Sequence, residues 1–144
     1  MCCVVPLVAW VATVASAPEL PRTGGAQNQQ VVIRDRLSPA GLVVSVAGSC
    51  GKNRYQIVLT NDGHQNRLRL EVNGRQVAAP EIAKVMKLVP SGDFLFDPFV
   101  AECFWDRPNA RMRLMSAGPA RHGREQWLSF EVTPAGEVMN AHPN

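Results

Sequence analysis

The chain has 144 residues, a formal net charge of +3 and 46% hydrophobic residues, with 11 Gly and 11 Pro. That is room for one domain, and the mixture excludes a collagen, a coiled coil and a wholly disordered chain. The charge excess is too small to mark a nucleic-acid binder, and no uninterrupted apolar run of about twenty residues follows Leu20, so no membrane span is expected in the mature chain.

Residues 1–17 carry no charged side chain and read as the apolar region of a secretory signal peptide, too short to span a bilayer. Small residues stand where cleavage belongs. Pro18 disfavours cleavage after Ala17, so cleavage is expected after Ala15 or Ala26. The usual basic start is missing, since the first basic residue is Arg22. The competing reading of this segment is a buried apolar element at the start of a cytosolic domain. Residues 18–30 are rich in Pro, Gly and Gln and are expected to form a disordered lead-in. A single β-rich domain is expected over 31–138, with a frayed tail over 139–144. The location implied is periplasmic or secreted.

Four cysteines occur. Cys2 and Cys3 fall in the presumed signal. Cys50 and Cys103 remain, and in an exported protein a disulfide between them is the leading expectation. Two buried thiols or a catalytic cysteine are the alternatives. There is no CxxC and no Cys–His pair at ligand spacing, so neither metal nor cofactor is expected.

Alternation of period two dominates the body. Strands are predicted at Val31–Leu37, Leu42–Ala47, Arg54–Thr60 and Asn66–Asn73. In the last of these Leu68, Leu70 and Val72 face the core while Arg67, Arg69 and Glu71 face water. Asn73-Gly74 then signals a tight hairpin, with Arg75–Ala78 as the return strand. Ile82, Val85, Met86 and Val89 recur at the helical period, so a short helix is predicted over about 80–88, started by Pro80. Further strands are predicted at Phe94–Phe96, Val100–Trp105, Arg111–Met115 and Trp127–Val132, with turn entries at Asp97-Pro98 and Asp106-Arg107-Pro108 and a turn at Thr133–Gly136. The fold class is mainly β: an antiparallel β-sandwich or partly open barrel, with one short helix closing an end or covering a sheet edge. Trp105 and Trp127 are expected in the core, Trp105 on the same strand face as Cys103.

No nucleophile elbow, zinc-protease, Walker or dinucleotide motif occurs. His64 lies in a loop beside Asp62, and a triad with Ser45 or Ser129 is conceivable but unspecific. His122 and Glu125 have a metal spacing only on a helix, which Gly123 opposes. Asp93, Asp97, Glu102 and Asp106 cluster in sequence. Held about 5–9 Å apart they would suit a small hydrolase, although each also fits turn chemistry. The arginines stand out more. Arg107, Arg111, Arg113, Arg121 and Arg124 fall in a stretch without acids, and Arg67 and Arg69 form a second pair. If the two strands were neighbours, four guanidinium groups would line one face and suit planar oxyanions. The competing reading is an ordinary solvated sheet face. The sequence therefore points to an exported, disulfide-stapled, non-catalytic module binding an acidic polymer or a protein partner. Nucleic acid is not expected, because few aromatic residues are available for stacking. The alternative is a small secreted hydrolase with a carboxylate or histidine cleft.

Overall fold

A computed structural model of the chain describes residues 27–38, 41–118 and 125–144. The presumed signal and the first part of the lead-in lie outside these residues. Nine strands and one helix follow in order: β1 Gln27–Ser38, β2 Gly41–Cys50, β3 Asn53–Asn61, β4 Asn66–Val72, β5 Arg75–Gln76, α1 Ala79–Met86, β6 Phe94–Cys103, β7 Ala110–Ala117, β8 Glu125–Val132 and β9 Val138–Pro143. Each strand pairs antiparallel with its sequence neighbour. The result is two meanders, a first sheet β1–β5 and a second sheet β6–β9. The mainly β class and the single short helix are as the alternation and the 3.6-residue period imply.

Alternation explains why these strands form two layers. On β3 Tyr55, Ile57 and Leu59 turn inward, and on β4 Leu68, Leu70 and Val72 do the same. Leu95 and Val100 of β6, Met112 and Leu114 of β7, and Leu128, Phe130 and Val132 of β8 meet them in one core. At Asn73-Gly74 both residues take the positive φ that a two-residue hairpin turn needs, 52° and 79°. The strand β6 lies against β2 and β3, whereas α1 packs on β9 and β4. The helix therefore covers the side where those two strands would lie open, with Val85 fully buried beneath it. Glu81 fixes its seat: one carboxylate oxygen accepts the Val138 backbone N–H at 2.6 Å and the Lys84 ammonium at 2.7 Å.

Four expectations are corrected. The strand β1 begins at Gln27, so the last four residues of the expected lead-in belong to it, with Gln27 and Gln30 paired to β2 across a register shift. The two strands predicted around Asp97-Pro98 are one strand, β6, interrupted there by a register shift. Asp97 takes φ 44°, and Pro98 has no N–H to donate to a ladder, so the chain bulges rather than turns. The tail expected to fray from Met139 is the edge strand β9. It pairs with β8 and is held further by Asn144, whose backbone N–H donates to the Trp127 carbonyl at 2.7 Å. Trp105 is not in the core. The strand β6 stops at Cys103, and Trp105 stands in the following loop with 69% of its surface exposed.

Candidate functional site

The cysteines on which the staple depends do meet. Cys50 ends β2, Cys103 ends β6, and their sulfur atoms are bonded with 5.4 Å between the Cα atoms. The link joins the end of the first sheet's β2–β3 hairpin to the end of β6 in the second sheet. Around it opens a cleft of about 440 Å³, lined on one side by Gly51, Lys52 and Asn53 and on the other by Phe104, Trp105 and the Asp106–Pro108 segment.

The loop carrying Trp105 is tied at several points. Cys103 anchors its start. The Tyr55 hydroxyl, reaching out of the core, donates to the Pro108 carbonyl at 2.7 Å. Arg107 grips Glu131 of β8 with two N–H groups, at 3.3 and 3.2 Å, and Asp106 with a third at 3.0 Å. Its guanidinium also lies 3.8 Å from the centroid of the Phe104 ring. Glu131 is 4% exposed and further accepts from Asn140 at 3.1 Å and Asn109 at 3.5 Å. Burial pushes its carboxyl pKa up, but the hydrogen bonds from Asn140, Arg107 and Asn109 outweigh burial and hold it below the usual carboxylate range. Arg111 pairs with Glu102 at 2.9 Å and lies 3.7 Å from Glu131. The exposed indole is thus mounted on a pre-organised support.

The predicted arginines do not converge. Arg67 and Arg69 lie on β4 of the first sheet, Arg111 and Arg113 on β7 of the second, so the four-guanidinium face that neighbouring strands would give is not formed. Arg107 and Arg111 are matched by Glu131, Glu102 and Asp106. Arg113 sits in the β6–β7–β8 row with Phe99 and Ser129, its Nε buried without a hydrogen-bond partner among the described residues. Arg121, His122 and Arg124 lie outside the described residues.

The outer face of the first sheet is different. Arg54, Arg67 and Arg69 are all exposed. The register places Gln56 opposite Glu71, Val58 opposite Arg69 and Thr60 opposite Arg67, all on the face turned from the core. Arg69 approaches Glu71 at 3.4 Å, and Arg54 and Arg67 make no ion pair among the described residues. Three cations therefore stand with Glu71 among them, and with Asp62 of the β3–β4 loop near Arg67, along a face about 20 Å long at the usual rise per strand residue. A cleft of about 360 Å³ lined by Arg54, Gln56, Glu71 and Asn73 adjoins it. Arg54 was legible from alternation: Tyr55 turned inward puts Arg54 outward, and the Asn73-Gly74 register puts it on the face of Arg69. A search for arginines close in sequence misses a grouping made across a hairpin.

Of the acids considered for hydrolysis, Asp93 and Glu102 stand apart, whereas Glu102 and Asp106 are each neutralised by an arginine of the Glu131 cluster. Asp93 precedes β6 and accepts the Ser116 hydroxyl at 2.7 Å, while Glu102 lies near the other end of β6, roughly 25–30 Å away at the usual strand rise. His64 is in the exposed β3–β4 loop, where Asp62 accepts the backbone N–H groups of His64 and Gln65. Those two bonds hold the Asp62 carboxyl below its ordinary range. Ser45 accepts from Gln56 on the first sheet, and Ser129 accepts from Asn144 on the second. Among the described residues no group of three or more His, Cys, Asp or Glu is placed to hold a metal ion, and no helix is long and apolar enough to cross a membrane. Comparison with known protein families, curated proteins and solved structures returned no match.

Proposed function

We propose that this chain is an exported, non-catalytic binding module that takes an anionic polymer on the outer face of its first sheet. The observation carrying the reading is the contrast between two arginine groups. Arg107 and Arg111 are consumed by internal carboxylates, while Arg54, Arg67 and Arg69 stand in water, with Glu71 beside Arg69 and the loop carboxylate of Asp62 near Arg67 as their acidic neighbours among the described residues. Arginine suits planar oxyanions because its fork donates two parallel hydrogen bonds. The Cys50–Cys103 disulfide in a small β domain is compatible with export and supports an oxidising compartment.

The test has two parts. Expressed with its own N-terminal segment, the protein is expected outside the cytoplasm, shortened, and lighter by two hydrogens than its reduced form. Purified, it is expected to bind polyphosphate and polygalacturonate with an affinity that falls as salt rises. Arg67→Gln with Arg69→Gln is expected to flatten the plot of log affinity against log salt by roughly one to two. Recovery of the full-length, reduced chain from the cytoplasm, or polyanion binding indifferent to salt and to both substitutions, overturns the reading.

A further inference from the structure

The two clefts are neighbours. Asn53 lines the cleft at the disulfide, and Asn73 lines the cleft on the first sheet. The Asn73 side-chain amide donates to Asn53 Oδ1 at 3.1 Å, and Asn73 Oδ1 accepts the Arg54 backbone N–H at 2.9 Å. Trp105 and Lys52 therefore stand on one side of this asparagine pair, and Arg54 on the other. Lys52 and Arg54 are exposed and make no ion pair among the described residues.

That juxtaposition says more than positive charge does. A ligand that was only an anion gains nothing from an indole, whereas a partner surface that was only apolar gains nothing from the cations beside it. An acidic sugar chain uses both. The apolar C–H face of a pyranose ring lies flat on an aromatic platform, and its ring oxygens and hydroxyls exchange hydrogen bonds with charged and amide groups at the rim. The cleft, about 440 Å³, falls within the range of small-ligand sites. Its platform is pre-organised by Cys103, Tyr55–Pro108 and Arg107–Glu131, so little ordering entropy opposes binding. Beside Trp105 the lining mixes the apolar surface of Phe104, Pro108 and the disulfide with the charged and amide groups of Lys52, Asn53, Asp106 and Arg107, the two kinds of surface that such a ring needs.

We infer that the ligand is an acidic polysaccharide, one of whose sugar rings stacks on Trp105 in the disulfide cleft while neighbouring acid groups run past Lys52 and Arg54 onto the face holding Arg69 and Arg67. The inference rests on the anion-binding reading above and narrows it to a polymer of sugars.

The experiment measures binding of the intact, oxidised protein to polygalacturonate, to polyphosphate, which has charge without sugar, and to dextran, which has sugar without charge. Trp105→Ala is expected to weaken polygalacturonate binding by about tenfold or more and to leave polyphosphate binding within about twofold, below half a kcal/mol. Trp105→Phe is expected to recover part of the loss. Lys52→Gln with Arg54→Gln weakens binding to both polyanions. Dextran binds far more weakly than polygalacturonate. Because Trp105 is exposed, an unchanged melting temperature certifies the fold of the variant. If Trp105→Ala leaves polygalacturonate untouched while Arg67→Gln and Arg69→Gln weaken it, the sugar inference is overturned and the anion reading stands. Equal losses for polyphosphate and polygalacturonate on removing Trp105 also overturn it. Binding of neither polymer overturns both.

Discussion

Glu131 carries more of the Trp105 loop than any other side chain. It is the buried end of four interactions, with Arg107, Arg111, Asn109 and Asn140, which belong to the loop, to β7 and to β9. Replacing Glu131 with Gln keeps the shape and removes the charge. The cost is expected to be about 1–3 kcal/mol, because the charge-assisted bonds become ordinary ones and one amide N–H faces donors. Its pH signature is specific. The folded-state pKa lies below the ordinary value of 4.5. The stabilisation is therefore fully present above that value and is lost as pH falls through and below it. Denaturant midpoints measured down this range should fall less steeply for Glu131→Gln than for the parent, and parallel curves would remove Glu131 as the cause. Tyr55 makes the opposite limb. Burial raises its phenol to about 12 from 10.0, so its contribution holds below 10 and is lost between 10 and 12. It is the only tyrosine in the sequence, so the near-ultraviolet phenolate absorbance reads it alone. A titration midpoint near 10 in the folded protein would falsify the buried Tyr55–Pro108 contact.

At the scale of elements, what could be read in advance follows the range of the forces involved. The strands β3 and β4, the Asn73-Gly74 turn and α1 are each specified by neighbours within a few residues, through alternation, positive φ or the i, i+3, i+4 period. The strand β9 is not. Met139, Asn140, Ala141 and His142 alternate for only four positions and their burial does not follow the alternation, Met139 being exposed; Asn140 takes φ 49°, and the pairing with β8 contains a register shift. Its place is set by Glu131 across the hairpin and by α1, which is distant in sequence. The position of Trp105 was hidden for the same reason, since the exit of the chain from β6 is fixed by Cys50 and Tyr55. The grouping of the arginines depended on whether β4 and β7 share a sheet. That is decided by α1, which ends one meander and starts the next. Close approach of the sheets has its own requirement at Gly48, where a Cβ would come within 3.0 Å of both Cβ and Cγ2 of Val100 on β6. Both residues are buried, two and three positions from the linked cysteines. Gly48→Ala is expected to destabilise by about 1–3 kcal/mol through overpacking, and Ser49→Ala, on the opposite face of β2, by far less. Equal stabilities for the two variants would mean that the sheets part there without cost.

The molecule as a whole is two meanders that share a core but few connections. Within each sheet every pairing is between consecutive strands, so the sheets form locally. Between them run the 77–93 segment containing α1 and one covalent link. Cys50 and Cys103 close a loop across 53 positions of sequence, and loop-closure entropy for a ring of that size corresponds to about 4 kcal/mol of stability. This sets the expectation for Cys50→Ser with Cys103→Ser: a loss near that figure in equilibrium denaturation, large for a domain whose whole stability is about 5–15 kcal/mol. The Trp105 loop gives an independent reading of the same variant. It keeps Tyr55–Pro108 and Arg107–Glu131, which do not involve sulfur, so under conditions where the variant remains folded its polygalacturonate affinity should fall only a few-fold. A disulfide acting mainly on the unfolded chain therefore separates the two measurements, with a large effect on stability and a small one on binding. If affinity collapses while stability hardly changes, the bond serves to hold the cleft open rather than to restrict the unfolded chain.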